Sequence, residues 1–173
     1  MAISFAGWIE VGGSGIKAGP NLGWGELPLV SMFEAEGLAC HLENDLDARA
    51  WGEWLTLDSE ARALGDLMVI NAGSGFALGL VVAGQLRRGY HRRAGEVGHW
   101  RSGIAGQCGC GEEGCVESLL GGANLQKVDL DDPDFRRRWI DLAVATLAPV
   151  IAALDPAHII ATGGILDHRP PLR

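Results

Sequence analysis

Four residues within a 17-residue stretch, His99, Cys108, Cys110 and Cys115, carry the first chemistry legible in this chain. Their spacing, H-x8-C-x-C-x4-C, offers three thiolates and one imidazole. That donor set suits a tetrahedral Zn²⁺ and leaves no position open for water, so the expected role is structural. No C-x-x-C pair is present, which weighs against a thiol–disulfide redox site. The fourth cysteine, Cys40, stands apart beside an apolar run and reads as a small core residue.

Other polar residues sit where chemistry is possible. Asn44-Asp45 closes a short apolar run (38–42) and precedes a helical segment, which puts a carboxylate at the mouth of a sheet. Such an Asp serves either as a helix N-cap or as a group facing a ligand, and the residues alone leave both open. Glu96 and Glu117 flank the cysteine loop, on backbone that a metal at His99 would pin. Glu112 and Glu113 read as solvent-facing loop charges. Gly73-Ser74-Gly75 and Gly163-Gly164 are glycine-rich turns of the kind that let backbone approach a phosphate.

These residues need elements to hold them. Leu46, Ala50, Trp54 and Leu57 share one face at helical spacing over 46–57. Leu67 to Asn71 and Ala77 to Val82 read as strands around the turn AGSGF. Asp132-Pro133 starts a long amphipathic helix, about 134–154, with a kink expected at Pro149. Asp155-Pro156 stops it, and HIIATGGI reads as a final strand running into a double-glycine turn. Alternating strands and helices indicate an α/β fold. Both ends look abrupt: the chain begins on AISFAG and ends on His168-Arg169-Pro170-Pro171 directly after that strand. The expectation is that a larger fold extends beyond both.

Composition sets outer limits. With 173 residues, 47% hydrophobic and 21% charged, a sizeable core is within reach. The net charge of −8 disfavours direct nucleic-acid contact, which rests on clustered Lys and Arg. The clusters Arg87-Arg88, Arg92-Arg93 and Arg136-Arg137-Arg138 read as solvated faces. No secretory signal follows Met1 and the longest apolar run is too short to cross a bilayer, so the expected setting is cytoplasmic, without membrane contact.

The segment GEVGH…CGCGEEGCVE (95–117) resembles the zinc signature of the ROK family, which comprises sugar kinases and sugar-responsive transcriptional repressors. PNLGW (20–24), ENDLDARAWGE (43–53), NAGSGFALGLVVAGQLRRG (71–89) and LDPAHIIATGGI (154–165) follow in the family's order. The resemblance implies a partial actin-like (ribonuclease H-like) ATPase fold with a zinc-binding loop. Residues 1–57 would be the later part of a small first lobe, and 58–173 a second lobe carrying the zinc and sugar loop. It further implies that Asn44, Asp45, Glu96, His99 and Glu117 contact a sugar, and that Asp45 is the catalytic base in kinases. Gly73, Ser74, Gly75, Gly163 and Gly164 would be a degenerate nucleotide site, ATP and Mg²⁺ being needed only by a kinase. The family's second Asn is Asp47 here.

Glu10-Val-Gly-Gly-Ser14 resembles the family's phosphate hairpin but precedes PNLGW too closely. The stretch ISFAGWIEVGGSGIKAGPNLGW matches a later strand and hairpin instead, with Ala6 replacing a proline. In the second phosphate loop, Leu78 is expected to put a bulky group where family kinases have glycine. The preferred expectation is therefore the sugar-sensing module of a transcriptional regulator, the alternative a fragment of a sugar kinase acting on a hexose or N-acetylhexosamine. A homo-oligomer is expected, since six tryptophans in so small a chain leave apolar surface to cover.

Overall fold

The computed structural model describes residues 1–122, 129 and 132–168. A four-stranded sheet organises most of them. Strand β5 (Leu67–Ala72) lies at its centre, antiparallel to β6 (Phe76–Val82) and parallel to β8 (His158–Thr162). The short β7 (Gln85–Leu86) completes the order β7-β6-β5-β8.

The pleat sends alternate side chains to opposite faces. Leu67, Val69 and Val81 go to one face and meet Leu46, Ala50 and Trp54 of helix α2 (Asp45–Thr56). Met68, Ile70, Ala72, Phe76, Leu78 and Leu80 go to the other. There they meet Phe135, Trp139 and Ala143, one stripe of a long helix α5 (Pro133–Leu154). The sheet is thus covered on both sides, and β5 reads as a nearly unbroken apolar run for that reason.

The helix expected over 46–57 is α2, with Leu57 half-buried against the same cluster. Helix α5 starts as expected, the Asp132 carboxylate accepting from the Asp134 N–H. It stops at Asp155, whose φ of 43° takes it out of the helix. The helix runs on through Pro149 without interruption. A short helix α6 (Gly164–His168) follows β8, so the chain does not end directly on the strand as expected. Arg169, Pro170 and Pro171 lie outside the described residues.

The first part of the chain builds a smaller sheet. Strand β1 (Ala2–Phe5) pairs parallel with β4 (His41–Asn44), and β2 (Trp8–Ile9) pairs antiparallel with β3 (Ile16–Ala18). Phe5, Ile9, Ile16 and Leu42 form its core. Helices α1 (Leu29–Ala35) and α3 (Ser59–Leu64) bury no residue fully. Glu10 and Ser14 belong to the β2–β3 turn, where the Glu10 carboxylate accepts from the Ser14 hydroxyl at 2.9 Å. Cys40 is half-buried at the entry to β4 and belongs to none of the apolar clusters, contrary to its reading as a core residue. No described helix is long and apolar enough to cross a membrane.

Gly79 marks how tightly α2 seats on β6. A Cβ there would lie 2.7 Å from both the Ala50 Cβ and the Leu46 carbonyl oxygen. Gly52, exposed on the outer face of α2, has nothing within 4 Å of such a Cβ. The two substitutions should therefore differ in sign under chemical denaturation. Gly79→Ala should cost about 1–3 kcal/mol by overpacking, and Gly52→Ala should gain about 0.5–1 kcal/mol by favouring the helix.

Candidate sugar and metal site

Strand β4 delivers Asn44-Asp45 to the start of α2, and the two residues divide the work. Asn44 is the cap: its Oδ1 accepts from the Leu46 and Asp47 N–H groups at 2.9 and 3.0 Å. Its Nδ2 donates to the Gly7 carbonyl at 3.0 Å, fixing the β1–β2 turn to the helix. Asp45 is not the cap, so its carboxylate is available to the cleft in front of it. Burial raises its pKa, offset in part by nearby backbone N–H groups.

The segment 95–99 reaches the same cleft from the opposite side. The Gly95 carbonyl accepts from the Leu78 N–H at 2.8 Å, and Val97 is buried in the core below. A Cβ on Gly95 would sit 1.9 Å from the Leu78 carbonyl oxygen, and one on Gly98 2.1 Å from that of Phe76. Only bare backbone fits against β6 here, and the intervening Glu96 and following His99 are turned into the cleft. Trp8 braces both. Its Nε1 donates to Glu96 Oε2 at 3.3 Å, and its ring meets that of His99 edge-on at 5.5 Å. Arg93 covers the Trp8 ring at 4.1 Å. Burial raises the Glu96 pKa, against the pull of the Trp8 hydrogen bond and of His99.

His99, Cys108, Cys110 and Cys115 converge, their donor atoms all within 4.8 Å of one another. Cys108 Sγ lies 3.5 Å from His99 Nδ1, and Cys110 Sγ 3.8 Å from Cys115 Sγ. A tetrahedral ion with sulfur at about 2.3 Å and nitrogen at about 2.0 Å sets its ligands roughly 3.5–3.8 Å apart, so the cluster fits one. His99 turns its other nitrogen, Nε2, toward Glu96 Oε2 at 3.4 Å. Without a cation the group is uncomfortable: burial and the neighbouring Cys110 thiol push Cys108 up to about 12.

Glu117 closes the circuit at the start of a one-turn helix α4 (Glu117–Leu120). Its Oε2 accepts from the Phe76 N–H at 2.9 Å, and its Oε1 lies 3.6 Å from Cys108 Sγ. One side chain thereby ties the cysteine loop to the β5–β6 turn.

The five residues expected to contact sugar, Asn44, Asp45, Glu96, His99 and Glu117, all line this one cleft, with Ser74 and Gly75 at its edge. Gly163 and Gly164 do not. Gly163 instead abuts Ala72 and Gly73, where the ends of β8 and β5 lie side by side. Leu78 also departs from expectation. Its side chain is 2% exposed and packs among Met68, Ile70 and Val97, so it does not crowd the Gly73–Gly75 turn. Alternation along β6 explains this, since Phe76, Leu78 and Leu80 all point to the α5 face.

Sequence reasoning missed Trp8, Arg92 and the environment of Asp47. Arg92, with φ of 54°, lines the cleft and pairs with Glu43. Arg88 binds the same carboxylate, its Nε donating to Glu43 Oε2 at 2.8 Å. Burial raises the Glu43 pKa, but those two guanidinium groups outweigh it and hold the carboxyl below its ordinary value. Asp47 has no such clamp. It is 7% exposed, and burial, reinforced by the Glu43 charge, moves it from 3.8 to about 7.

A stability titration follows from Asp47. Its folded pKa is raised, so its stabilising protonation is complete below about pH 4 and lost as pH rises to about 7. Asp47→Asn should match the wild type near pH 4 and exceed it near pH 8. The gain is bounded at about 4 kcal/mol and is read by urea denaturation at several pH values.

With the geometry established, relatives sharpen the reading. The profile of the ROK family matches residues 1–135. A glucokinase of Streptomyces coelicolor is 35% identical over 127 residues, covering 72% of this chain and 39% of the relative. An N-acetylmannosamine kinase of Escherichia coli O6:H1 is 38% identical over 99 residues, 56% of this chain and 33% of the relative. The chain thus spans well under half the length of either curated relative. Among solved structures, a ROK glucokinase from Streptomyces griseus, in complex with glucose and AMPPNP, superposes with a TM-score of 0.78. It is 27% identical, and the match covers 95% of this chain and 65% of that one. A ROK transcriptional regulator, a homologue of the E. coli MLC protein, shares the fold at 22% identity and a TM-score of 0.73, over 99% of this chain and 51% of that one. Kinases and regulators alike share this α/β, actin-like architecture, and the chain belongs to the ROK family.

Proposed function

We propose that this chain is a sugar-binding domain, the sensing module of a ROK-type transcriptional regulator, whose cleft takes a hexose or amino-sugar. The observation that carries this is the convergence of Asp45, Glu96, His99 and Glu117, from three separate segments, on one cleft. Carboxylates accept from vicinal hydroxyls, and charged acceptors make stronger bonds than neutral ones. Sensing asks no more of the chain than that. Phosphoryl transfer also needs the γ-phosphate charge neutralised. Arg92, the one guanidinium lining the cleft among the described residues, is committed to Glu43.

In this reading His99, Cys108, Cys110 and Cys115 hold one Zn²⁺. The ion would close the loop and set the His99 ring, with no water position for hydrolytic chemistry. His99 uses Nδ1 on the metal side and leaves Nε2 for Glu96 and the cleft.

A kinase reading stands second, favoured by Asp45 being free of capping and by the withdrawal of Leu78 into the core. There Asp45 would accept the proton of the attacking hydroxyl while that oxygen bonds to the γ-phosphorus and ADP departs.

Two experiments test these readings. Elemental analysis of the folded protein should find one zinc per chain. Cys110→Ser should lose it and become protease-sensitive across the cysteine loop, because closed metal sites contribute folding energy directly. Folded protein without zinc overturns the metal assignment. By calorimetry, a hexose or amino-sugar should bind at about −4 to −8 kcal/mol, and Asp45→Asn should weaken binding roughly tenfold, the loss of one charged acceptor. No sugar-dependent ADP release should accompany it. Turnover that disappears in Asp45→Asn would establish the kinase reading in its place.

A further inference from the structure

Asp47 is the side chain that the cleft leaves unserved. It stands in the first turn of α2, only 7% exposed, and it forms part of the cleft wall. Its backbone N–H is taken by the Asn44 cap, but among the described residues its carboxylate has no hydrogen bond and no ion pair. The charges that face it are Glu43 from β4, Arg88 and Arg92 from the segment after β7, and Glu96 from the segment that leads into His99. Both arginines are bound by Glu43, one to each of its oxygens. Glu43 and Glu96 only add repulsion. Arg88 and Arg92 favour its ionised form only from a distance, and among the described residues no cation pairs with the Asp47 carboxylate directly.

The remainder of the wall does not supply one either. Asp45, Glu96 and Glu117 bring three more carboxylates. Glu96 and Glu117 each have a donor from the protein, Trp8 Nε1 and the Phe76 N–H. A neutral hexose brings hydroxyls, each giving a single proton and no charge. An ammonium group brings three N–H donors and one positive charge on a single atom. Only the latter both hydrogen-bonds Asp47 and neutralises it where it lies.

We infer that Asp47 makes the cleft selective by charge, receiving the protonated free amine of an amino-sugar in preference to a neutral hexose or an N-acylated amine. This rests on the reading of the cleft as a sugar site. The raised pKa of Asp47 agrees with it, since burial and the Glu43 charge outweigh the more distant attraction of Arg88 and Arg92.

The test is calorimetric titration of the 173-residue chain with glucosamine, glucose and N-acetylglucosamine at about pH 7, where an amine of α-amino basicity is still largely protonated and about half of Asp47 is ionised. Glucosamine should bind at least about tenfold tighter than either neutral sugar. In Asp47→Asn, an isosteric change, that ratio should fall to within about twofold while glucose binding persists, since charge and not shape is removed. A second measurement does not depend on any variant. Raising the pH of the wild type to about 9.5 deprotonates the amine and should erase the preference. Equal binding of glucose and glucosamine at the lower pH overturns the inference and leaves the sugar site standing. So does a preference that survives in Asp47→Asn. Glucose binding that weakens as the pH rises through about 7, without amine preference, would show Asp47 acting as a neutral donor, and also overturns it. Failure of all three sugars to bind overturns the sugar-site reading itself, and this inference with it.

Discussion

A contact between two bare stretches of backbone holds the site together. Gly95 and Gly98 lie against the carbonyls of Leu78 and Phe76 so closely that no Cβ fits at either glycine. The contact has polar and apolar components: the Leu78 N–H donates to the Gly95 carbonyl, and Val97 enters the core beneath. Because the segment is clamped at both glycines, Glu96 and His99 have defined origins, and the cysteine loop starts from a rigid point. Glu117 returns from the far end of that loop to the Phe76 N–H, two residues along β6 from the Gly95 contact. The metal cluster and the cleft therefore share one support. Precision in a binding shell comes from support of this kind.

The acidic groups of the cleft show how neighbouring carboxylates take different states. Glu43 and Asp47 are equally buried. Glu43 has two guanidinium partners and stays ionised with ease, while Asp47 has none and favours its proton. Environment separates them, as it does wherever pairs of acids are given different tasks. Arg92 adopts a left-handed backbone conformation to reach Glu43. Such conformations persist where surrounding contacts over-determine them.

Local signals in the sequence were sound and their junctions less so. The periodicity of Leu46, Ala50 and Trp54 marked the buried face of α2, and the His99–Cys115 spacing marked a true spatial cluster. Leu78 was misplaced because a glycine pattern was read without carrying the strand's alternation through it. Cys40 adjoins an apolar run and so resembles core in the sequence, but of that run Leu42 alone is fully buried. The double glycine after β8 was read as a turn only, although a helix begins at its second member. Asn44 and Asp45 could not be told apart as caps until hydrogen bonds were visible. Trp8 carried no signal, and Arg92, expected on a solvated face, is instead largely buried against Glu43; each acts on a residue far away in the chain, Trp8 on Glu96 and Arg92 on Glu43.

The order of strands has a kinetic side. β5 and β6 are joined by a tight turn and can zip together locally, in about microseconds as hairpins do. The partner on the other flank of β5 is β8, which arrives from about ninety residues further along, a separation whose closure entropy slows pairing. Everything between them, the cysteine loop and α5 included, lies inside that closing loop. Until β8 docks, one edge of β5 is unpaired. A nascent chain would pass through that state before the last strand is made, and an unpaired central edge is the surface on which chains mispair. A metal caught early by the cysteine loop would shorten the effective span that β8 has to close, because the loop would then be crossed in one step rather than along its full contour.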